Sequence, residues 1–356
     1  MVNKKYISIF ESLDKNAYKE STPNDKILLC DGLNTFIRSF VVNPTINENG
    51  IHIGGISGFL QSVGYAIRNI NPTRVIICFD GKGGSQRRRK LFPDYKAQRR
   101  VGAGTKRMTR VNSYNSVEDE RVSMKQQLLR LTEYLGTLPV DVVAVENIEA
   151  DDTIAYATEQ LFPNSECVIM STDKDFLQLV SNRVSVWSPT KKKYYNEDSL
   201  KEEFEIPAYN FLMYKILMGD SSDNIPGIRG IGLKTLRKRL PIIFDDKIGV
   251  DEIIKYANEH RDEAKVLELI ADNKNKLELN FELMQLFDVN ISGAAKRSIK
   301  NQINNKKDGL IKYKFQLLML EDMLNTAIKN PDIWLKETFK KLDVYRKLLN
   351  EEINEW

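Results

Sequence analysis

Between Asn147 and Val180 the chain reads NIEADDTIAYATEQLFPNSECVIMSTDKDFLQLV, a stretch that few folds can accommodate. Glu149, Asp151 and Asp152 open an apolar run of helical period, while Asp173 and Asp175 follow the β-prone run Cys167 to Met170. A helix packed back onto its sheet brings both acidic clusters to one end of the domain. Carboxylates about 4 Å apart repel by roughly 4 kcal/mol per pair at an effective dielectric of about 20, so such a cluster calls for a compensating cation. Divalent metal is the natural candidate.

Two more stretches repeat the device. Lys26 to Cys30 (KILLC) is a short continuous apolar run ending at Asp31-Gly32, and Arg74 to Phe79 (RVIICF) runs into Asp80-Gly81. Such runs suit parallel strands buried on both faces. Further strands are expected at Asp141 to Val145 and Val184 to Trp187, with helices over Ile53 to Ile70, Met124 to Leu135 and Ala150 to Phe162 and a short one from Asp175. Alternating strands and helices predict an α/β fold with a mostly parallel central sheet flanked by helices. Ligands of such sheets bind at the carboxyl ends of the strands, where Asp31, Asp80, Asp173 and Asp175 all fall.

At 356 residues the chain can bury one α/β core with a helical annex. Cys30, Cys78 and Cys167 lie in apolar runs without paired spacing, so neither disulfides nor a zinc site are expected. The opening MVNKKYISIF lacks the features of a signal peptide, and no apolar stretch approaches a membrane span. The expectation is a soluble cytoplasmic protein, a monomer with no membrane partner.

The net charge of +4 is unevenly placed. Eleven Lys and Arg lie between Lys82 and Arg110 against the single Asp94, so a polyanion contact beside an acidic pocket is expected. Glycines at 83, 84, 102 and 104 divide this segment, which reads as a flexible basic insertion over 82–123. Residues 1–25 read as an N-terminal extension, 26–205 as the α/β core, 206–290 as a helical region and 291–356 as a C-terminal helical extension whose amphipathic runs suit core packing.

Nine acidic residues are candidates for one metal site: Asp31, Asp80, Glu149, Asp151, Asp152, Asp173, Asp175, Asp220 and Asp223. An all-oxygen set without matching Cys or His suits magnesium or manganese. On a regular helix Glu149 and Asp152 share a face at i, i+3 while Asp151 points elsewhere, which makes Asp151 the least secure member by geometry. Two such ions can drive in-line phosphoryl displacement without a protein nucleophile, and neither a nucleophile elbow nor a full phosphate-binding loop is present. The segment MGDSSDNIPGIRGIGLKTL, Met218 to Leu236, would bring Gly230 and Gly232 near a phosphate, with Lys234, Arg237 and Lys238 beside them.

Taken together these pieces resemble the flap endonuclease and 5′-to-3′ exonuclease superfamily, particularly the 5′-nuclease domain of bacterial DNA polymerase I and phage 5′ nucleases of RNase H type. The resemblance rests on Asp31-Gly32, FDG at Phe79 to Gly81, FPDYKAQR at Phe92 to Arg99, EADD at Glu149 to Asp152, STDKD at Ser171 to Asp175 and MGDSSDNIPGIRGIG at Met218 to Gly232, in family order. It implies a PIN-like nuclease fold, a basic arch formed by the insertion, and a helix–three-turn–helix that grips duplex and holds a potassium ion. It further implies two magnesium or manganese ions, one ringed by Asp31, Asp80, Glu149, Asp151 and Asp152, the other reached by Asp173, Asp175, Asp220 and Asp223. Lys96 and Arg99 would steer the scissile phosphate, Tyr95 would stack on the terminal base, and Arg88 would be a further arch contact.

The activity so implied is a structure-specific 5′ nuclease that removes RNA primers or displaced flaps in DNA replication. Its substrates would be DNA and RNA–DNA hybrids with 5′ ends or flaps. A single-stranded-DNA-binding protein or sliding clamp would be its protein partner, and a phage-encoded enzyme of the host cytoplasm the simplest setting. Two rivals are an inactive junction-binding replication protein, which lost carboxylates would mark, and a hydrolase of small phosphate esters, which the basic insertion disfavours.

Overall fold

The structure, a computed structural model, describes residues 21–97, 107–109, 111 and 114–354. Residues 1–20 of the expected N-terminal extension, Arg99 and part of the insertion lie outside them. Six strands form one sheet: β1 (Lys26–Asp31), β2 (Arg74–Cys78), β3 (Asp141–Val143), β4 (Glu166–Met170), β5 (Val184–Ser188) and β6 (Lys193–Tyr195). Their order is β3-β2-β1-β4-β5-β6, parallel throughout except that β6 folds back on β5. The expected sheet therefore forms, with an antiparallel edge that the sequence reading did not include.

Strand β1 shows why the apolar runs are continuous. Ile27 and Leu29 join Ile76, Cys78, Cys167 and Ile169 in the core on one face, while Leu28 and Cys30 join Val75, Ile77, Val168 and Met170 on the other. A strand with alternate side chains in two cores has no polar face to spare. All three cysteines are buried and free.

Among the described residues five α-helices accompany the strands in the first half of the core: α1 (Gly32–Val42), α2 (Gly54–Ile70), α3 (Gln86–Leu91), α4 (Val117–Leu135) and α5 (Ala150–Tyr156). Helix α1 escapes the sequence reading because Thr35, Ile37, Val41 and Val42 are β-branched and Phe36 and Phe40 aromatic, a composition of weak helix propensity. The side chain of Asp31 caps it by accepting from the Asn34 N–H. Helix α4 starts seven residues before the expected Met124, with Ser116 as its cap and Glu118, Asp119 and Glu120 in its first turn. Helix α3 forms inside the basic insertion, so that segment is not irregular throughout.

Beyond the sheet come α6 (Glu197–Phe204), α7 (Phe211–Met218), a two-residue hairpin pairing Gly219–Asp220 with Ile225–Pro226, and α8 (Leu233–Arg239). Helix α7, the hairpin, α8 and the helices through Met284 share a third core that includes Leu217, Leu236 and Leu277, whereas Leu200 and Phe204 of α6 join the core of Ile27 and Leu29. The C-terminal helices return to the sheet, where Phe315, Met319, Leu335 and Phe339 bury against the α2 face. Among the described residues no helix is long and apolar enough to cross a membrane.

An ion cluster locks that return. Asp141 of β3, fully buried, faces Arg74 at 2.7 Å, Arg346 at 3.0 Å and Lys307 at 3.2 Å. Burial alone would raise its pKa, yet Arg74, Arg346 and Lys307 hold the carboxyl below its ordinary value. A depressed folded pKa adds stability above the unfolded value of about 3.9 and loses it as pH falls through the folded one. Asp141→Asn is therefore expected to cost about 3–5 kcal/mol at neutral pH by leaving Arg74 and Arg346 buried without a counter-charge. Urea unfolding checks the loss, and its gap from wild type should close as the solution is acidified.

Candidate active site

The strand order reverses between β1 and β4, and ligands of such sheets settle at that switch point, outside the carboxyl ends. Asp31 ends β1, Asp80 follows β2, Asp173 follows β4, and Asp151 enters from the first turn of α5. All four line one cavity of about 500 Å³ together with Asn34, Thr172 and Lys96, with Leu33, Ile37, Val41 and Val42 of α1 along another wall.

Backbone capping holds the carboxylates in place. Asp31 accepts from the Ser171 hydroxyl at 3.1 Å as well as from Asn34. Asp80 accepts from the Ala150 N–H at 2.7 Å, where α5 begins, and Asp173 accepts from the Asp175 N–H at 2.9 Å. Asp31 accepts on both oxygens, and each carboxylate oxygen that takes one such bond still has a second lone pair to offer the cavity.

The electrostatics are those of a site short of positive charge. Burial, then the neighbouring Asp173 and Asp80, pushes the Asp31 carboxyl up to about 7. Burial, Asp31 and Asp173 drive Asp151 well above the carboxylate range. Burial and Asp173 take Asp175 to about 7, against the pull of Lys215. Among the described residues no three His, Cys, Asp or Glu side chains are already drawn in to the spacing of a metal shell.

The remaining acidic candidates face basic side chains of the chain itself. The buried Arg88 guanidinium grips Asp152 with two bonds of 2.8 and 3.0 Å, contacts Glu149, and donates to the Leu283 carbonyl. Lys96 reaches Glu149 at 2.5 Å and Asp223 at 3.9 Å. Burial works against ionisation of Glu149, yet Arg88 and Lys96 hold its pKa below the ordinary value. Lys215 joins Asp175 at 2.7 Å to Asp220 at 2.6 Å.

This arrangement revises three expectations. The predicted faces of α5 are right, since Glu149 and Asp152 do share one, but that face turns to Arg88, and Asp151 alone looks into the cavity. Arg88, expected on nucleic acid, is 3 % exposed and ties α3 to α5. Tyr95, expected as a stacking platform, is 2 % exposed and packs in the helical core with its hydroxyl toward Glu149.

Lys96 owes its place to the backbone. It adopts a positive φ of 55°, and its N–H donates to the Asp223 carbonyl at 2.9 Å. Asn224 donates to the Asp94 carbonyl, so the base of the insertion is seated on the turn that carries Asp220 and Asp223. In that turn Gly219 has φ +73°, and a Cβ there would meet the backbone at Gly227 at 2.2 Å. Gly230 has φ +86° and stands open with Gly232, while Lys234, Arg237 and Lys238 project from α8, with Arg237 paired to Glu205. Arg99 falls outside the described residues.

Sequence reasoning passed over Lys215, Asn34 and Thr172. A signal for the first exists: a lone Lys inside the apolar helical run FLMYKILM, five residues before Asp220. A cation on a buried face requires buried acid partners.

The family model described as 5′-3′ exonuclease, N-terminal resolvase-like domain, matches residues 26–205. The chain belongs to the 5′-3′ exonuclease family. Its relatives there include a 5′-3′ exonuclease of Bacillus subtilis (strain 168), 31% identical over 60% of this chain and 69% of that protein. Flap endonuclease Xni of Shewanella sp. (strain MR-4) is 32% identical over 76% of this chain and 97% of its own length. Among solved structures the T5 D15 protein co-crystallised with metal ions shares the fold, with a TM-score of 0.57 at 19% identity over 84% of this chain and 98% of that one. As a member of the 5′-3′ exonuclease family the protein is a structure-specific 5′ nuclease.

Proposed function

We propose that this 5′ nuclease acts on DNA and RNA–DNA hybrids bearing 5′ ends or flaps, with magnesium or manganese in the cavity at the switch point. The observation that carries this reading is the shared cavity of Asp31, Asp80, Asp151 and Asp173, where burial and mutual repulsion hold Asp31 and Asp151 back from ionising. Hard divalent cations take such oxygen donors, and their charge would restore the carboxylates to the ionised form.

Asp31, Asp80, Asp151 and Asp173 would hold one ion, with Asp175 and Asp220 available to a second. Bound there, a pair of ions supplies an activated water and stabilises the charge of an in-line displacement. The chain's own residues do the rest. Lys96, at the cavity wall, can exchange Glu149 for the scissile phosphate and hold it in line, as Arg99 would from the insertion. Leu33, Ile37 and Val41 of α1 form an apolar wall on one side of the cavity. Lys234 and Lys238 on α8, beside the open Gly230 and Gly232, would contact duplex phosphates without reading sequence. A potassium ion belongs to that loop in this reading.

The insertion would arch over the cavity, 206–290 would grip duplex, and a single-stranded-DNA-binding protein or sliding clamp would be the partner in replication, in the cytoplasm. The deciding experiment uses a 5′-labelled flap duplex. Cleavage is expected only with magnesium or manganese, and Asp173→Asn is expected to abolish it while flap affinity stays within about threefold of wild type. A wild-type protein that binds the flap and leaves it intact under both metals would refute the proposal.

A further inference from the structure

The basic insertion is attached to the core at both of its ends. The outgoing limb is seated through Lys96, whose N–H donates to the Asp223 carbonyl, and through the Asn224 bond to Asp94. The return limb, described at residues 107–109, 111 and 114, runs into α4 and is held there by one buried carboxylate. Glu120 of α4 is 1 % exposed, and it accepts from the Met108 N–H at 2.7 Å, the Thr109 N–H at 2.7 Å and the Thr109 hydroxyl at 2.8 Å. Glu118 and Asp119 of the same helical turn stay exposed. Burial opposes the charge of Glu120, yet the Met108 and Thr109 N–H groups hold its carboxyl below the ordinary value.

We propose that Glu120 is a positioning residue for flap cleavage, pinning the return limb of the insertion at Met108 and Thr109 so that the limb meets a 5′ single strand already in place. The proposal rests on the reading that the insertion arches over the cavity. The pin has a firm base. Further along α4, Gln127 accepts from the Gly55 N–H at 2.9 Å and donates to the His52 carbonyl at 2.7 Å, which ties α4 to the start of α2. Tyr114 adds a second attachment. It is 8 % exposed, and its hydroxyl meets His52 Nδ1 at 2.7 Å and the Ser123 hydroxyl at 2.9 Å.

The two oxygens of Glu120 divide their work, Oε2 taking the Met108 N–H and Oε1 both groups of Thr109. An amide in that place turns an NH₂ toward one of those donors, so Glu120→Gln breaks the pin with little change in side-chain volume. A limb that is correctly placed only part of the time weakens apparent affinity by that fraction. Lys96 stays seated on the Asp223 carbonyl in that variant, so the rate on bound flap is spared.

The test uses the full-length chain. Hydrogen exchange without DNA reads the Met108 and Thr109 amides, and single-turnover cleavage of a 5′-labelled flap duplex with magnesium or manganese separates affinity from rate. In Glu120→Gln those two amides are expected to exchange about tenfold faster or more, while that of the buried Leu131 in α4 keeps its protection. The flap concentration giving half the maximal rate is expected to rise about tenfold, with the maximal rate within about threefold of wild type. Affinity for a plain duplex without a 5′ single strand is expected to stay within about twofold. A side chain that merely supported the fold would weaken both DNAs together. Unchanged exchange, unchanged flap affinity, or equal losses on flap and plain duplex would overturn the proposal. Should Glu120→Gln not fold, Thr109→Val decides: it removes only the hydroxyl bond and is expected to weaken the flap alone, by about two- to threefold. No loss, or an equal loss on plain duplex, again overturns it. A wild type that binds the flap no better than plain duplex would instead refute the arch reading of the insertion and the proposal with it.

Discussion

Asp151→Asn is expected to lower turnover on a flap substrate by on the order of 10³-fold, about 4 kcal/mol, while flap affinity and folding are spared. Asp151 faces the cavity, and its carboxyl resists ionisation there because burial, Asp31 and Asp173 all oppose the charge. Removing that carboxylate relieves repulsion in the ion-free protein, so urea unfolding without divalent ions should show no loss of stability. The adjacent Asp152→Asn should behave in the opposite way. It replaces one of the two oxygens that accept the bidentate Arg88 bonds with an amide donor, removes the charge, and is expected to cost about 1.5–3 kcal/mol of stability, with turnover kept within about tenfold. Kinetics and denaturation on the two variants settle the matter: an Asp152→Asn protein that is stable and inert, beside an active Asp151→Asn, would reverse the assignment.

Lys96→Ala carries the second largest expected effect. Its ammonium sits at the junction of the cavity, Glu149 and Asp223, on a backbone anchored to the Asp223 carbonyl. A contact aimed at the reacting phosphate stabilises the transition state more than the bound duplex. The expected loss is about 10²–10³-fold in kcat with flap affinity changed by less than about fivefold. Glu149 keeps Arg88 as a partner in this variant, so folding should survive. Single-turnover cleavage separates the outcomes, and unchanged kcat would move the phosphate contact to another residue of the insertion.

Part of this site is legible in the chain because it depends on local pattern. KILLCD and RVIIC become buried strands through continuous apolar character, and the aspartates after them reach the carboxyl end of the sheet because a parallel strand delivers its terminus there. The i, i+3 argument also places Glu149 and Asp152 on one face of α5. It ranks Asp151 last because it assumes that the shared face is the one turned to the ion. Which face meets the cavity depends on α3, sixty residues upstream, where Arg88 of QRRRKL folds inward and occupies Glu149 and Asp152. Nothing in a run of basic residues marks one of them as buried. Tyr95 has the same history: an aromatic in a basic segment suggests stacking, and only its burial in one cluster with the helical core shows it to be core.

The sequence by itself determined the parallel sheet, the all-oxygen character of the site and the presence of acidic groups at three strand ends, since these follow from hydrophobic period and residue chemistry within short windows. Tertiary structure alone decided which carboxylates share the cavity with Lys96 and which face Arg88 and Lys215. A carboxylate's electrostatic state is set by charges a few ångströms away, and those charges arrive from helices and turns that the chain order keeps far apart.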